Sequence, residues 1–162
     1  MASRASRNVS RAGRVAFVAA ALTLVPLAEA AGPFSFYSVA PCRVVDTRGA
    51  AGPTGGPKLL ANSDRSFPIL GSCGVPGTAQ AVVFNITIVS PTDLGDIRLF
   101  PAGTPMPLTS VINWVTADFA VANGAIAPVG LSGANHVTVH VDMPPASTGQ
   151  VHLVLDVTGY FQ

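Results

Sequence analysis

Apolar and polar side chains alternate with a period of two along the second half of the chain. The clearest alternation covers residues 82–89, where large apolar residues are separated by Asn85 and Thr87. Residues 137–142 and 151–161 follow the same pattern. Because the side chains of a strand point alternately to its two faces, this period is typical of strands with one buried face. The sequence therefore predicts three long strands.

Six shorter segments are also predicted as strands, each bounded by Gly, Pro, Asn or Asp. They are residues 34–39, 43–46, 66–70, 97–100, 111–115 and 125–129. After the N-terminal segment, no window of a dozen residues has the 3.6-residue apolar period of a helix without Gly or Pro. Strands at short intervals without crossover helices favour antiparallel sheets. We expect an all-β fold, an antiparallel β-sandwich of about eight to nine strands, with a β-barrel as the alternative.

The N-terminal segment has the pattern of a secretory signal peptide. Several arginines precede an apolar stretch over residues 15–27, and Ala28 and Ala30 are small residues at the positions that a signal peptidase recognises. The apolar stretch is shorter than the roughly 20 residues of a transmembrane helix. No two arginines are adjacent, which favours the Sec route. We expect a Sec-type signal peptide at residues 1–30, one all-β domain at 31–162, and no transmembrane segment after cleavage.

Export would have two consequences for the mature chain. The whole chain has a net charge of +1, whereas residues 31–162 hold five basic and seven acidic side chains, a net charge of −2 with neutral histidines. Because nucleic-acid binding needs a clustered excess of Lys and Arg, we do not expect nucleic acid as a partner. Cys42 and Cys73 are the only cysteines, and in an oxidising compartment we expect them to form a structural disulfide.

The three histidines fall in the last two predicted strands, which the sequence suggests are joined as a hairpin. Alternation places His136, His140 and His152 on the face opposite the valines. In one register His140 lies opposite His152 and His136 opposite Asp156; in the next, Asp142 lies opposite His152. The Cβ atoms of such neighbours are about 4.5–5.5 Å apart, close enough for the two side chains to bind one metal. A small metal site and a solvated sheet face both remain open. Because a zinc site uses about three or four converging ligands, we predict no metal and no cofactor.

The mature chain has no recognisable catalytic arrangement. It contains no glutamate, no Gly-x-Ser-x-Gly elbow and no phosphate-binding loop, so we do not predict an enzyme. Carbohydrate binding would need exposed aromatic rings, for which Trp114 and Tyr160 are the candidates. A single Trp within a strand is also a common core residue. Alternation places Tyr160 on the polar face of the last strand and Phe161 on its apolar face.

Two short motifs have a structural interpretation of their own. Asp46 and Arg48 lie two residues apart, so we expect them to share a face and to pair or to cap the turn that begins at Gly49. Gly159, inside the last strand, predicts a bulge or a close approach of another part of the chain.

The same motifs carry a resemblance. Arg-Val-Val-Asp-Thr-Arg at residues 43–48, Pro-Ala-Gly-Thr at 101–104 and Asp-Val-Thr-Gly-Tyr-Phe at 156–161 together resemble an uncharacterised secreted bacterial all-β module. That module occurs alone, in tandem or attached to extracellular proteins. The resemblance implies a secreted or cell-surface accessory domain and assigns no catalytic residue. This chain differs from tandem examples in being a single copy with a pair of cysteines.

These observations rank three functions for an extracellular or cell-surface protein. The first is an accessory, structural or interaction module without catalytic activity, whose partner is an envelope or extracellular protein. The second is a carbohydrate-binding module that takes a polysaccharide. The third is a metal-binding domain that uses the histidines near the C-terminus.

Overall fold

The computed structural model describes residues 32–116 and 118–162, which contain nine strands and no helix. The predicted signal peptide lies outside the described residues. In the part that is described, there is no helix long and apolar enough to cross a membrane. The strands are β1 (Phe36–Asp46), β2 (Leu59–Leu60), β3 (Ser63–Phe67), β4 (Ala81–Val89), β5 (Gly95–Pro101), β6 (Ile112–Trp114), β7 (Ala120–Pro128), β8 (Val137–Asp142) and β9 (Gln150–Phe161).

The strands form two antiparallel sheets that pack face to face. The five-stranded sheet has the order β1-β9-β4-β7, and β2 pairs with the beginning of β9. The four-stranded sheet has the order β3-β8-β5-β6. The sheets are not closed into a barrel, so the predicted β-sandwich is confirmed and the barrel alternative is wrong.

The core lies between the two sheets and follows the alternation of the sequence. On β4, the side chains of Phe84, Ile86 and Ile88 are completely or almost completely buried, whereas those of Asn85 and Thr87 face away from the other sheet. The inward residues of β8 and β9 are buried in the same way. Burial of apolar surface contributes roughly 25 cal/mol per Å², so these three strands supply a large part of the stability.

The predicted hairpin between the last two strands does not form, because β8 and β9 belong to different sheets. In place of the predicted partners, Asp142 lies opposite Asp96 on β5. Asp156 lies between Arg43 on β1 and Asn85 on β4. The segment that joins β8 to β9 crosses from one layer of the sandwich to the other. The predicted pairs of His152 with His140 or Asp142, and of His136 with Asp156, are therefore wrong.

A bulge near the end of β9 reverses the faces of its last residues. The register with β4 shifts between Val83 and Phe84, and Thr158 is the extra residue. Tyr160 consequently lies opposite the buried Val82 and packs against the core, so its predicted place on the polar face is wrong, as is that of Phe161 on the apolar face. The predicted bulge at Gly159 is confirmed. At Gly159, the ring of Phe36 occupies the space that a Cβ atom would need.

Candidate functional site

The three histidines lie in separate environments. His136 precedes β8, His140 lies on the outer face of the four-stranded sheet, and His152 lies on the outer face of the five-stranded sheet. The strand neighbours of His140 are Asp64 and Arg98. Across residues 32–116 and 118–162, no group of three or more His, Cys, Asp or Glu side chains is placed to hold a metal ion. The predicted pairing of histidines for a metal therefore has no counterpart in this fold.

His136 is an acceptor for the backbone. Its Nδ1 atom lies 2.8 Å from the backbone nitrogen of Ile69 and 3.1 Å from that of Leu70, and both N–H groups donate to it. A ring nitrogen accepts only when it is unprotonated, so this arrangement selects the neutral imidazole. Burial lowers the pKa of His136, which also favours the neutral form. The ring thus links residues 69 and 70, which follow β3, to the start of β8.

His152 is tied to the Arg-Val-Val-Asp-Thr-Arg motif through Thr47. The backbone N–H of Leu153 donates to Thr47 Oγ1 at 2.8 Å, and Oγ1 lies 3.2 Å from His152 Nδ1. Because Oγ1 already accepts from Leu153, its own proton is available for the imidazole nitrogen. Burial lowers the pKa of His152, and the nearby charge of Lys58 adds to this effect. Thr47 is itself buried, so the threonine of the motif has a structural role.

A charged cluster covers the outer face of the four-stranded sheet. His140 Nδ1 lies 2.6 Å from Asp64 Oδ1, and Arg98 Nε lies 2.7 Å from Asp142 Oδ2. Burial raises the pKa of Asp96, and repulsion by Asp142 adds to the rise. His140 with Asp64 and Arg98 with Asp142 are opposite charges on adjacent strands, which stabilise a sheet as cross-strand pairs. Asp96 lies directly opposite Asp142, a like charge, and within the described residues its Oδ1 atom is buried without a hydrogen-bond partner.

The two end motifs of the sequence form one ion-pair chain on the outer face of the five-stranded sheet. Arg48 donates to both carboxylate oxygens of Asp46, at 2.8 and 2.7 Å. Arg43 donates to Asp156 at 2.8 and 3.2 Å and to Asp46 at 3.3 Å. The hydrogen bonds from Arg48 are the main cause that lowers the pKa of Asp46 to about 2. The predicted pairing of Asp46 with Arg48 is confirmed, and the chain also links β1 to β9.

Trp114 belongs to the core and offers no surface to a sugar ring. Its side chain is 5% exposed, and its Nε1–H donates to the carbonyl oxygen of Asp93 at 2.8 Å. A buried indole whose N–H is satisfied in this way is typical of a packing residue. The prediction that Trp114 is a ligand-binding candidate is therefore wrong.

Aromatic side chains cluster where the start of β1 pairs with the end of β9. The rings of Tyr37 and Tyr160 are stacked, with centroids 5.2 Å apart and planes 16° apart. Phe36 and Phe161 form a second pair, with centroids 5.3 Å apart. Tyr37 is 46% exposed, so part of the stacked pair is accessible to solvent. Of the two aromatic candidates from the sequence, only Tyr160 lies at an accessible aromatic surface, through its contact with Tyr37.

Arg65 organises the glycine-rich loop between β1 and β2. Its guanidinium donates to the carbonyl oxygens of Gly52, Gly55 and Pro57 at 2.7–2.8 Å, and to that of Gly56 at 3.2 Å. The loop and β3 line an open cleft of about 490 Å³. Since glycine-rich segments have high conformational entropy when free, one partly buried cation with several carbonyl partners is an effective way to order this loop.

The free edge of β7 carries a row of unpaired backbone groups on the five-stranded sheet. Hydrogen bonds from Ser90 to Phe119 and from Val129 to Gln80 fix the pairing of β7 with β4. Odd-numbered residues of β7 therefore direct their N–H and C=O groups at β4, and even-numbered residues direct theirs away. In the described part of the chain, the outward groups have no hydrogen-bond partner. The even-numbered residues, all exposed, are Ala120, Ala122, Gly124, Ile126 and Pro128, of which Pro128 offers a carbonyl but no N–H.

The other edges of the sandwich carry features that block strand addition. On β1, the pairing with β9 shifts register twice, Arg43 is charged, and Cys42 forms a disulfide with Cys73, which confirms the predicted bond. On β3 there are two charged residues, Asp64 and Arg65, and β6 has only three residues. Charges, bulges and short length are the usual protection of an edge strand. β7 is nine residues long, pairs with β4 without a shift and has no charged residue, and the one protective feature on its edge is Pro128 at its end.

Sequence reasoning found only the end of β7, at residues 125–129. Ala120, Ala122, Asn123 and Gly124 have low β propensity, so the local sequence does not predict a strand there. The available signal was the lack of charge, since residues 119–141 contain no Asp, Glu, Lys or Arg.

Comparison with models of known protein families finds no match, and a search of curated proteins finds none.

Proposed function

We propose that this chain is a secreted or cell-surface interaction module without catalytic activity, and that it binds an extracellular or envelope protein through the free edge of β7. The observation that carries the proposal is the exposed row of outward backbone groups on β7. An extended segment of a partner can add to such an edge, because main-chain hydrogen bonds supply affinity and alternate side chains supply specificity.

The bonding of three titratable side chains agrees with a module whose polar groups serve the fold. His136 accepts two backbone hydrogen bonds, and Asp46 and Asp156 each bind an arginine. A catalytic acid or base needs a free position within hydrogen-bond reach of a substrate. These side chains direct their polar atoms to neighbouring protein groups instead.

The Cys42–Cys73 disulfide supports export, since disulfides persist mainly in oxidising compartments. We expect the protein recovered from outside the source cell to begin at Ala31 and to contain no free thiol. Intact-mass measurement before and after reduction tests both statements. An unprocessed chain with two free thiols would contradict the proposed location.

Position-specific photo-crosslinking in the source cell tests the proposed edge. A photoreactive residue at Ala122 is expected to give covalent adducts with an extracellular or envelope protein. The matched control is Thr87, which lies directly opposite Ala122 on the same face of β4 but away from the edge. Adducts at Ala122 with few at Thr87 support strand addition. No adduct at Ala122, or equal yields at the two positions, would overturn it.

Carbohydrate binding is the second candidate, supported by the stacked pair of Tyr37 and Tyr160, in which Tyr37 is half-exposed. Stacking of a sugar on an aromatic ring needs an accessible ring. We expect retention on insoluble polysaccharide that Tyr37→Ala removes and that Phe119→Ala, a change at an exposed ring on another part of the surface, leaves unchanged. Absence of retention on peptidoglycan and other insoluble polysaccharides rejects this candidate.

A further inference from the structure

The β7 edge also indicates which partner strand it fits. We propose that its occupant is β7 of a second copy of this chain, paired antiparallel across a two-fold axis so that the two five-stranded sheets become continuous. This inference rests on the proposed function, because it uses the same edge. It adds the identity of the partner.

One register of this pairing satisfies the outward N–H and C=O groups of Ala120, Ala122, Gly124 and Ile126 in both copies, and only Pro128, opposite Asp118, lies outside the paired row. With Ala122 opposite Gly124 of the second copy, Ala120 lies opposite Ile126, and the even-numbered residues of both copies point their N–H and C=O groups at one another. The two adjacent registers are worse. One places Ile126 opposite Asp118, whose N–H already donates to Val115 O at 3.0 Å. The other places Ala120 opposite Pro128, which has no N–H.

The side chains fit the same register. On the outer face it sets Ile126, which is 61% exposed, beside the small Ala120. On the inner face it sets Phe119, which is 78% exposed, beside Ala127 of the second copy. Asn123 then lies on the two-fold axis opposite itself. Each large apolar side chain meets a small one, so the pairing covers exposed apolar surface.

The charge of the edge also favours a second copy. No charged residue occurs between Phe119 and Pro128, so a foreign strand with charged side chains would find no opposite charge to pair with. A second β7 is equally uncharged. The mature net charge of −2 produces little repulsion between two copies. A two-fold interface needs only one self-complementary patch, which is the commonest arrangement among homodimers.

Substitution at Gly124 tests the pairing in the exported, processed protein. Gly124→Pro removes an outward N–H and places the proline ring on the free edge, which an edge strand tolerates. Gly124→Ala is the matched control, because its Cβ has no neighbour closer than 4.0 Å and it keeps the N–H. Sedimentation equilibrium should give a dimer for the wild type and for Gly124→Ala, and a dissociation constant at least about tenfold higher for Gly124→Pro.

A cysteine placed on the axis tests the register without relying on the folding of the proline variant. Residues of a non-hydrogen-bonded pair have Cα atoms about 4.5 Å apart, which suits a disulfide, so Asn123→Cys should give a cross-linked dimer on a non-reducing gel. Val121→Cys is the control, because the two copies of residue 121 would lie about 13 Å apart. A monomeric wild type, or equal cross-linking of the two cysteine variants, overturns the dimer. Adducts of Ala122 with a different protein would then still support the proposed function, so the two failures are distinguishable.

Discussion

Replacement of Arg65 by methionine is expected to destabilise the protein by about 2–4 kcal/mol. Methionine keeps much of the aliphatic length of the side chain and removes the guanidinium. Nη1 contacts one carbonyl and the two N–H groups of Nη2 share the other three, so at most three bonds count independently. Hydrogen bonds to a charged group contribute roughly 1.5–3 kcal/mol each, which sets an upper limit of roughly 9 kcal/mol.

Two effects bring the expected loss well below that limit. Burial lowers the pKa of Arg65, which reports a desolvation cost of the charge that the variant no longer bears. The loop is also largely exposed, so water can hydrate the carbonyl groups that Arg65 releases. The stability that remains to be lost comes from two sources. The loop is no longer held in one conformation, and the guanidinium no longer contacts the ring of Phe67, whose centroid lies 5.0 Å away.

Urea unfolding of the wild type, Arg65→Met and Arg65→Lys measures the effect. Arg65→Lys should recover less than half of the loss, because one ammonium group cannot reproduce the fork of the guanidinium. Arg43→Met, at a half-exposed ion pair, is the control and should cost no more than about 1 kcal/mol. Faster tryptic cleavage after Lys58, in the loop, should accompany Arg65→Met. A stability within about 0.5 kcal/mol of the wild type, with unchanged cleavage, would refute the role of Arg65.

Three further predictions concern stability. Asp46 has a pKa of about 2 in the fold against 3.8 ordinarily, and the half-exposed arginines limit its contribution to stability to about 1 kcal/mol. This contribution is complete above about pH 4 and is lost as the pH falls through about 2, so Asp46→Asn should remove this acid-dependent part of the melting curve. The double variant Cys42→Ala, Cys73→Ala should lose about 3–4 kcal/mol of stability, because the disulfide closes a loop with a sequence separation of 31 and so restricts the unfolded chain. Urea unfolding under identical conditions measures this loss. His136 has a lowered pKa, so the wild type should lose stability as the pH falls below about 6.5, and His136→Gln should weaken that pH dependence without abolishing it because His152 titrates in the same direction.

The layers of the fold were predictable from the sequence because local alternation reports burial. Phe84 and Leu155 fall at alternate positions of long strands, and both lie in the core as the pattern predicts. Pairing between strands was less predictable. Nothing in the local pattern of residues 137–161 indicates that the chain changes sheets between Asp142 and Gln150, so a hairpin and its histidine pairs were inferred where neither exists.

The candidate site was harder to find because it consists of main-chain groups. The strand conformation of Ala120 and Gly124 comes from pairing with β4, a tertiary effect that overrides their low β propensity. By contrast, Arg43 and Asp156 could be recognised as motif residues, although their contact across β1 and β9 required the fold. The resemblance to a secreted module remains a prediction.

Amide hydrogen exchange on β7 tests the open edge most directly. In dilute protein, the amides of Ala122 and Gly124 should exchange quickly, and those of Val121 and Asn123, which bond to β4, should exchange slowly. Raising the protein concentration, or adding the envelope fraction of the source cell, should slow the exchange of Ala122 and Gly124 while that of Val121 and Asn123 changes little. If Ala122 and Gly124 are already protected in dilute protein, or remain fast under both added conditions, the edge of β7 is not a binding surface.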